Sequence, residues 1–228
     1  AQMNADIGTN LAGARLAPGV ELRHWFNPNL EFFWFIVPAL AASMVLITPL
    51  MMTSLSIARE REMGTFDQLL VSPVTPGQII LGKTLPAVFA GFFSGTLITA
   101  VAIFGFKIPF VGSLGLMYCG MLCFVLAVTG IGLTVSALAN TQQQAMLVAW
   151  FFIVIFILMS GLFTAIANMP PWAQKIALFN PVAYFVEFIR LVLLKGSEFR
   201  HVLKHFIVIA GMSLVINILA VLAYNKRS

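Results

Sequence analysis

The sequence is short of charge. Only 9% of its 228 residues are Asp, Glu, Lys or Arg, against 60% hydrophobic, and the mean hydropathy is +0.97. A water-soluble domain needs a charged surface, so this composition excludes one and points to the membrane. Aspartate is scarcest, with only two, Asp6 and Asp67. Neither ends an apolar strand, which removes the carboxylate that ordinarily holds magnesium in a nucleotide site. Cysteine is as rare: Cys119 and Cys123 sit four apart in an apolar run, which rules out a disulfide framework and leaves packing as their ordinary use. The net charge of +5 is spread over connecting segments and forms no nucleic-acid patch.

Charge is also missing in blocks. No Asp, Glu, Lys or Arg occurs from Phe32 to Ala58, Thr84 to Phe106, Ile108 to Gln174 or His205 to Asn225. A helical span needs about 20 apolar residues to cross about 30 Å of hydrocarbon. The third block holds two spans and the others one each. The expected fold is an all-α polytopic membrane protein with spans near 33–55, 83–106, 115–138, 145–165 and 206–224. Ion-coupled secondary transporters carry their coupling ion on ionisable groups inside the spans, and these span interiors have none. No nucleophile–base or acid–base constellation marks an enzyme. A membrane assembly protein without transport activity is the other alternative.

The connections carry the remaining signals. Residues 1–31, with Pro18 and Pro28, read as the end of a domain or linker outside the bilayer. The chain opens Ala-Gln-Met-Asn, without initiator Met or signal peptide, so a preceding N-terminal part is expected. A charged loop covers 56–82. Residues 166–204 form a second long connection, with helix starts at Met169-Pro170-Pro171 and Asn180-Pro181. Glu187 and Arg190 each oppose a full crossing there by about 2.5–3.5 kcal/mol. Spaced i, i+3, they suit a pair on one face, and two short helices dipping partway into the membrane fit better. Small residues recur at four-residue spacing as Ala87, Gly91, Gly95 and Thr99, then Gly115, Cys119, Cys123 and Ala127. Gly91 and Gly95 make a GxxxG match, a candidate for packing within the chain or for a dimer seam.

Two patterns have bland readings. Gly77-Gln78-Ile79-Ile80-Leu81-Gly82-Lys83-Thr84 matches GxxxxGK[ST], but two prolines precede it and a membrane span follows, so Lys83 marks the water-facing start of that span. Glu198, His201 and His205 have metal-ligand spacing, but Arg200 and Lys204 crowd the same turns and repel a cation, so no metal site is expected.

The stretch Arg59-Glu60-Arg61-Glu62-Met63-Gly64-Thr65-Phe66-Asp67-Gln68-Leu69-Leu70-Val71-Ser72-Pro73 is more specific. It reads as a charged helical end, broken at Gly64, with Thr65 capping a short amphipathic helix through Leu70. Glu60, Arg61, Glu62, Gly64, Thr65, Asp67, Leu69, Leu70 and Pro73 match in order the coupling signature of ATP-binding-cassette (ABC) type-2 permeases. Trp25-Phe26-Asn27-Pro28-Asn29-Leu30, Gly82-Lys83, Ser160-Gly161-Leu162-Phe163, Asn168-Met169-Pro170 and Asn180-Pro181 extend the likeness over essentially the whole chain, which resembles the membrane subunit of that family.

The resemblance implies an exporter permease of the bacterial inner membrane. The five spans would be the family's second to sixth, with 1–31 the end of an extracytoplasmic domain and 32–228 the transmembrane domain. It implies a cytoplasmic coupling helix in the 56–82 loop and two outer-face half-helices in 166–204. It implies contact with an ATP-binding subunit through Arg59, Glu60, Arg61, Glu62, Gly64, Thr65, Asp67, Leu69 and Leu70. ATP and magnesium would sit on that partner, leaving this chain without cofactor or ATPase site. A second permease copy or paralogue, membrane lipid and a periplasmic adaptor complete the implied partners. Orientation rests on the resemblance, because counting Lys and Arg alone puts the Ala139–Gln144 link outside.

Overall fold

Proline and glycine set most of the helix ends in the computed structural model, which describes residues 32–65, 75–108, 110–163, 166–195 and 199–227. All regular structure among these residues is helical. Helix α1 spans Phe32–Glu62, α2 Pro76–Ala100, α3 Leu114–Leu138, α4 Gln142–Leu158, α5 Pro171–Ala177, α6 Pro181–Lys195 and α7 Phe199–Arg227. Helices α2, α5 and α6 each open on a proline, whose missing N–H matters least in a first turn. At α2 the Gln78 side chain reaches back to accept the Thr75 N–H at 3.0 Å. At α6, Asn180 Oδ1 accepts the Val182 N–H at 2.9 Å while its Nδ2 donates to Phe156 O at 2.8 Å, tying the start of α6 to α4.

Four helical stretches are long and apolar enough to cross a bilayer: Ile36–Glu62, Gly77–Gly105, Leu114–Leu138 and Val202–Tyr224. Helix α3 falls where the apolar block puts it. The other three overrun the expected spans: α1 continues past residue 55 to Glu62, α2 begins at Pro76 rather than 83, and α7 begins at Phe199 rather than 206. The apolar blocks mark the hydrocarbon, whereas helical hydrogen bonding continues into polar sequence until a cap ends it. The expected span 145–165 needs the largest correction. Helix α4 begins at Gln142 and stops at Leu158, and its 17 residues make about 26 Å of helix. Ser160 Oγ donates to Ile157 O at 2.7 Å and accepts the Leu162 N–H at 3.2 Å, and Gly161 turns the chain with φ +81. Helices α5 and α6 occupy the 166–204 connection, bent 79° from each other, with the composition of a broken span or a re-entrant loop.

Helices α1 and α3 form the centre: 61% and 67% of their apolar windows are buried, against 28% in α2 and 17% in α7. Small residues bring the backbones together. A Cβ on Gly95 would collide with Met121 Sδ of α3 and lie 2.9 Å from Val45 Cγ2 of α1; one on Gly91 would lie 2.9 Å from Val125 Cγ2 and 3.4 Å from Pro49 Cγ. The Gly91–Gly95 face is thus covered by the chain's own α1 and α3. The stripe Gly115–Cys119–Cys123–Ala127 is different: Gly115 and Cys119 are exposed and Cys123 half-buried. Close approach on α3 is made instead at Gly120, under the Phe188 ring, and at Gly132, against Thr53 Oγ1 and Leu50 O of α1. A four-residue repeat drifts around a 3.6-residue helix, so one stripe does not stay on one neighbour.

Candidate functional site

The charged stretch after the first apolar block is the last turn of α1 and its cap. The Gly64 N–H bonds Arg61 O at 3.1 Å and the Thr65 N–H bonds Glu60 O at 3.0 Å, which is the Schellman arrangement. Gly64 sits at φ +72, where a side chain is strained even though a Cβ would meet nothing within 4 Å. The Thr65 hydroxyl turns back to Glu60 O at 3.3 Å and so closes α1. Phe66, Asp67, Leu69, Leu70 and Pro73, with the short helix expected there, lie outside the described residues, as do residues 1–31.

The side chains of this turn reach three other helices. Arg61 Nη1 donates to Ala137 O at 2.7 Å and Ala139 O at 3.2 Å, placing a fixed positive charge on the C-terminal carbonyls of α3. Glu62 Oε2 accepts the Gln142 N–H at 2.8 Å, placing a negative charge on the N-terminus of α4. Two adjacent residues of opposite sign therefore bracket the tight Ala139–Thr141 link. That link is further set by Thr141 Oγ1, which accepts the Gln144 N–H, and by Gln144 Oε1, which accepts the Asn140 N–H. Glu60 forms an ion pair with Lys83 of α2, whose Nζ also donates to Ser56 Oγ at 3.1 Å. Arg59 is exposed, as are Glu62, Met63, Gly64 and Thr65.

The structure also shows what the Gly77–Thr84 motif is. All eight residues lie in α2, so their main-chain N–H groups do not form the anion-cradling loop that GxxxxGK[ST] denotes, and Lys83 is engaged by Glu60. Lys83 belongs to the α1 cluster rather than merely marking where water begins. Its signal in the sequence was a lysine opening one span against the Ser56/Glu60 spacing at the end of the previous one. Ser136, Gln142 and Tyr224 are further members that the sequence did not mark. Ser136 Oγ accepts the N–H groups of Ile57 and Ala58 at 2.8 and 3.0 Å. Tyr224, 1% exposed, packs with Ile57, Ile79, Ile80 and Leu133, bringing the end of α7 to the same pole.

At the opposite pole Glu187 does not bond Arg190. It bonds His205 Nε2 of α7 at 2.8 Å, while Arg190 Nη2 donates to Gly161 O at 3.3 Å. Glu187 is met by a side chain of α7, and Arg190 by a main-chain carbonyl in the turn after α4. His205 is thereby committed to a carboxylate on α6, while Glu198 and the His201 side chain lie outside the described residues.

Long apolar helices packed through small residues, with their charges drawn to the two poles, define a polytopic α-helical membrane protein. The chain belongs to the ABC-2 type transporter family, which matches residues 20–194, and it is a multi-pass protein of the inner membrane. It is 44% identical over 177 residues to the probable multidrug ABC transporter permease YbhR of Escherichia coli K12, covering 78% of this chain and 48% of that protein. It is 31% identical over 179 residues to YbhS of the same strain, also named a probable multidrug ABC transporter permease, with the same two coverages. The inner membrane transport permease YhhJ is 27% identical over 208 residues, or 91% of this chain and 56% of that protein. The chain thus spans about half the length of the curated relatives it matches.

Proposed function

We propose that this chain is the permease part of an ATP-driven exporter, paired with a second copy or a close paralogue. Each half would rest on an ATP-binding subunit that holds the nucleotide and magnesium. The observation that carries the reading is the multiple attachment of the α1 terminus: residues 60–62 are bonded at once to α2, α3 and α4. A push on the exposed 59–65 turn therefore reaches four helices without passing through a flexible loop. Closure of two ATP-bound partners would favour one arrangement of the spans and release the other, a population shift driven by a ligand on another chain. The naming of YbhR and YbhS as probable multidrug permeases supports drug-like molecules as the cargo.

Co-expression of the full-length protein with its ATP-binding subunit tests the reading. A cysteine at Met63, 64% exposed, should cross-link to that subunit, and Arg59→Glu should abolish both cross-linking and export while membrane insertion persists. Normal export by Arg59→Glu, with no cross-link from position 63, would remove the turn from the partner interface.

A further inference from the structure

We infer that Ser136 is a positioning residue, a pin that fixes the charged turn of α1 to α3 so that these two helices move as one body. The inference rests on the exporter reading above. It starts from the only place among the described residues where one side-chain oxygen accepts two main-chain N–H groups from another helix. Ser136 Oγ lies 2.8 Å from Ile57 N and 3.0 Å from Ala58 N, all three residues being fully buried or nearly so. N–H groups in the middle of a helix normally have their partners four residues back, so a foreign acceptor between two of them is not required by folding of α1 itself.

The neighbourhood makes the pin stiff. One turn earlier on α3, Gly132 lets the backbones touch, and a Cβ there would strike Thr53 Oγ1 and lie 2.9 Å from Leu50 O. Thr53 is held in turn, its hydroxyl donating to Pro49 O at 2.7 Å. One turn beyond the pin, Arg61 grips Ala137 O and Ala139 O. Steric contact, hydroxyl pin and guanidinium latch therefore follow one another along a single α1–α3 seam, in the direction of the exposed turn. The same end of α1 is joined to α2 only through the flexible Lys83 side chain, which reaches Glu60 and Ser56, and to α4 through the Glu62–Gln142 bond. A load on the turn moves α1 and α3 together, and α2 and α4 shift relative to them.

The test uses the full-length transporter with its ATP-binding subunit in nanodiscs, Cys119 and Cys123 having been replaced. Spin labels at Met63, next to the end of α1, and at Leu138, the exposed last residue of α3, report the α1–α3 distance, and labels at Met63 and Gln78 the α1–α2 distance. With Ser136 present, nucleotide should change the second distance and leave the first unchanged. Ser136→Ala keeps the volume and removes the acceptor. It should broaden the Met63–Leu138 distribution and lower substrate exported per ATP hydrolysed by at least about fivefold, since both hydrogen bonds of the pin are lost. Ser136→Thr changes the volume but keeps the acceptor, and should leave the distribution narrow and export per ATP near wild type, a split that a mere packing defect at this position would reverse. Should Ser136→Ala fail to insert, the wild-type distances alone decide, because a nucleotide-dependent Met63–Leu138 change overturns the inference. Unaltered export per ATP in an inserted Ser136→Ala protein also overturns it. Failure of the exporter reading looks different: nucleotide would then change neither distance.

Discussion

The carboxylate of Glu62 accepts the main-chain N–H of Gln142 at 2.8 Å, 80 residues further along the chain. The neighbouring Arg61 donates to the carbonyls that end the preceding helix, so one dipeptide caps both sides of a helix–helix link. Glu62 is consequently not a free charge awaiting a partner. Whatever docks on the turn meets a carboxylate that already holds α4.

Glu62→Ala should therefore do two things. Loss of a cap destabilises by about 1 kcal/mol, which a lowered melting temperature of the purified protein would register. Substrate-stimulated ATP hydrolysis and export should fall together, whereas Gln143→Ala, an exposed neighbour in the first turn of α4, should alter neither. Normal export by Glu62→Ala would reduce the bond to local packing.

Gly64 separates conformation from space. Because φ is +72 and nothing surrounds the Cα, Gly64→Ala should cost about 1–2 kcal/mol from the left-handed backbone alone. Gly64→Val should cost more, and Gly64→Asn least of the three, since asparagine tolerates that region best. The order Asn, Ala, Val in thermal stability is the expected result; equal stability for all three would show that the turn readjusts.

Lys83 tests the nucleotide lookalike. Nucleotide photolabelling of the purified chain should be at background with or without Lys83→Met. Removing this lysine leaves Glu60 without its cation in a site where the side chains are 11% and 29% exposed. A loss of about 1–3 kcal/mol is expected from the stranded carboxylate, and Lys83→Met/Glu60→Gln should recover most of it. Specific labelling that disappears in Lys83→Met would instead restore the phosphate-binding reading.

The two poles should lie on opposite sides of the membrane. Single cysteines at Thr65 and Lys175, both exposed, are expected to react with an impermeant thiol reagent from the cytoplasmic and the outer side respectively. Reaction of both from one side would require a different number of crossings between them.

The all-helical membrane character, the extent of α3 and the proline-led starts of α5 and α6 were legible in the sequence. Each depends on a local property: apolar length against bilayer thickness, or the absence of an N–H at one residue. The break at Gly64 was legible for the same reason, since a helix ends where its own carbonyls are capped nearby. The shortness of α4 was not. Its apolar run continues past Leu158, and only Ser160, Gly161 and the grip of Asn180 on Phe156 O end it there. The chemical types in the charged turn were visible, but their partners were not. Arg61, Glu62 and Lys83 find carbonyls, an N–H and a carboxylate from 23 to 80 residues away, and which distant groups meet is fixed by how the helices cross. Those crossings depend on Gly91, Gly95, Gly120 and Gly132 facing the right neighbours. Spacing along one helix reports that a residue is small; only the packed bundle decides which backbone approaches it.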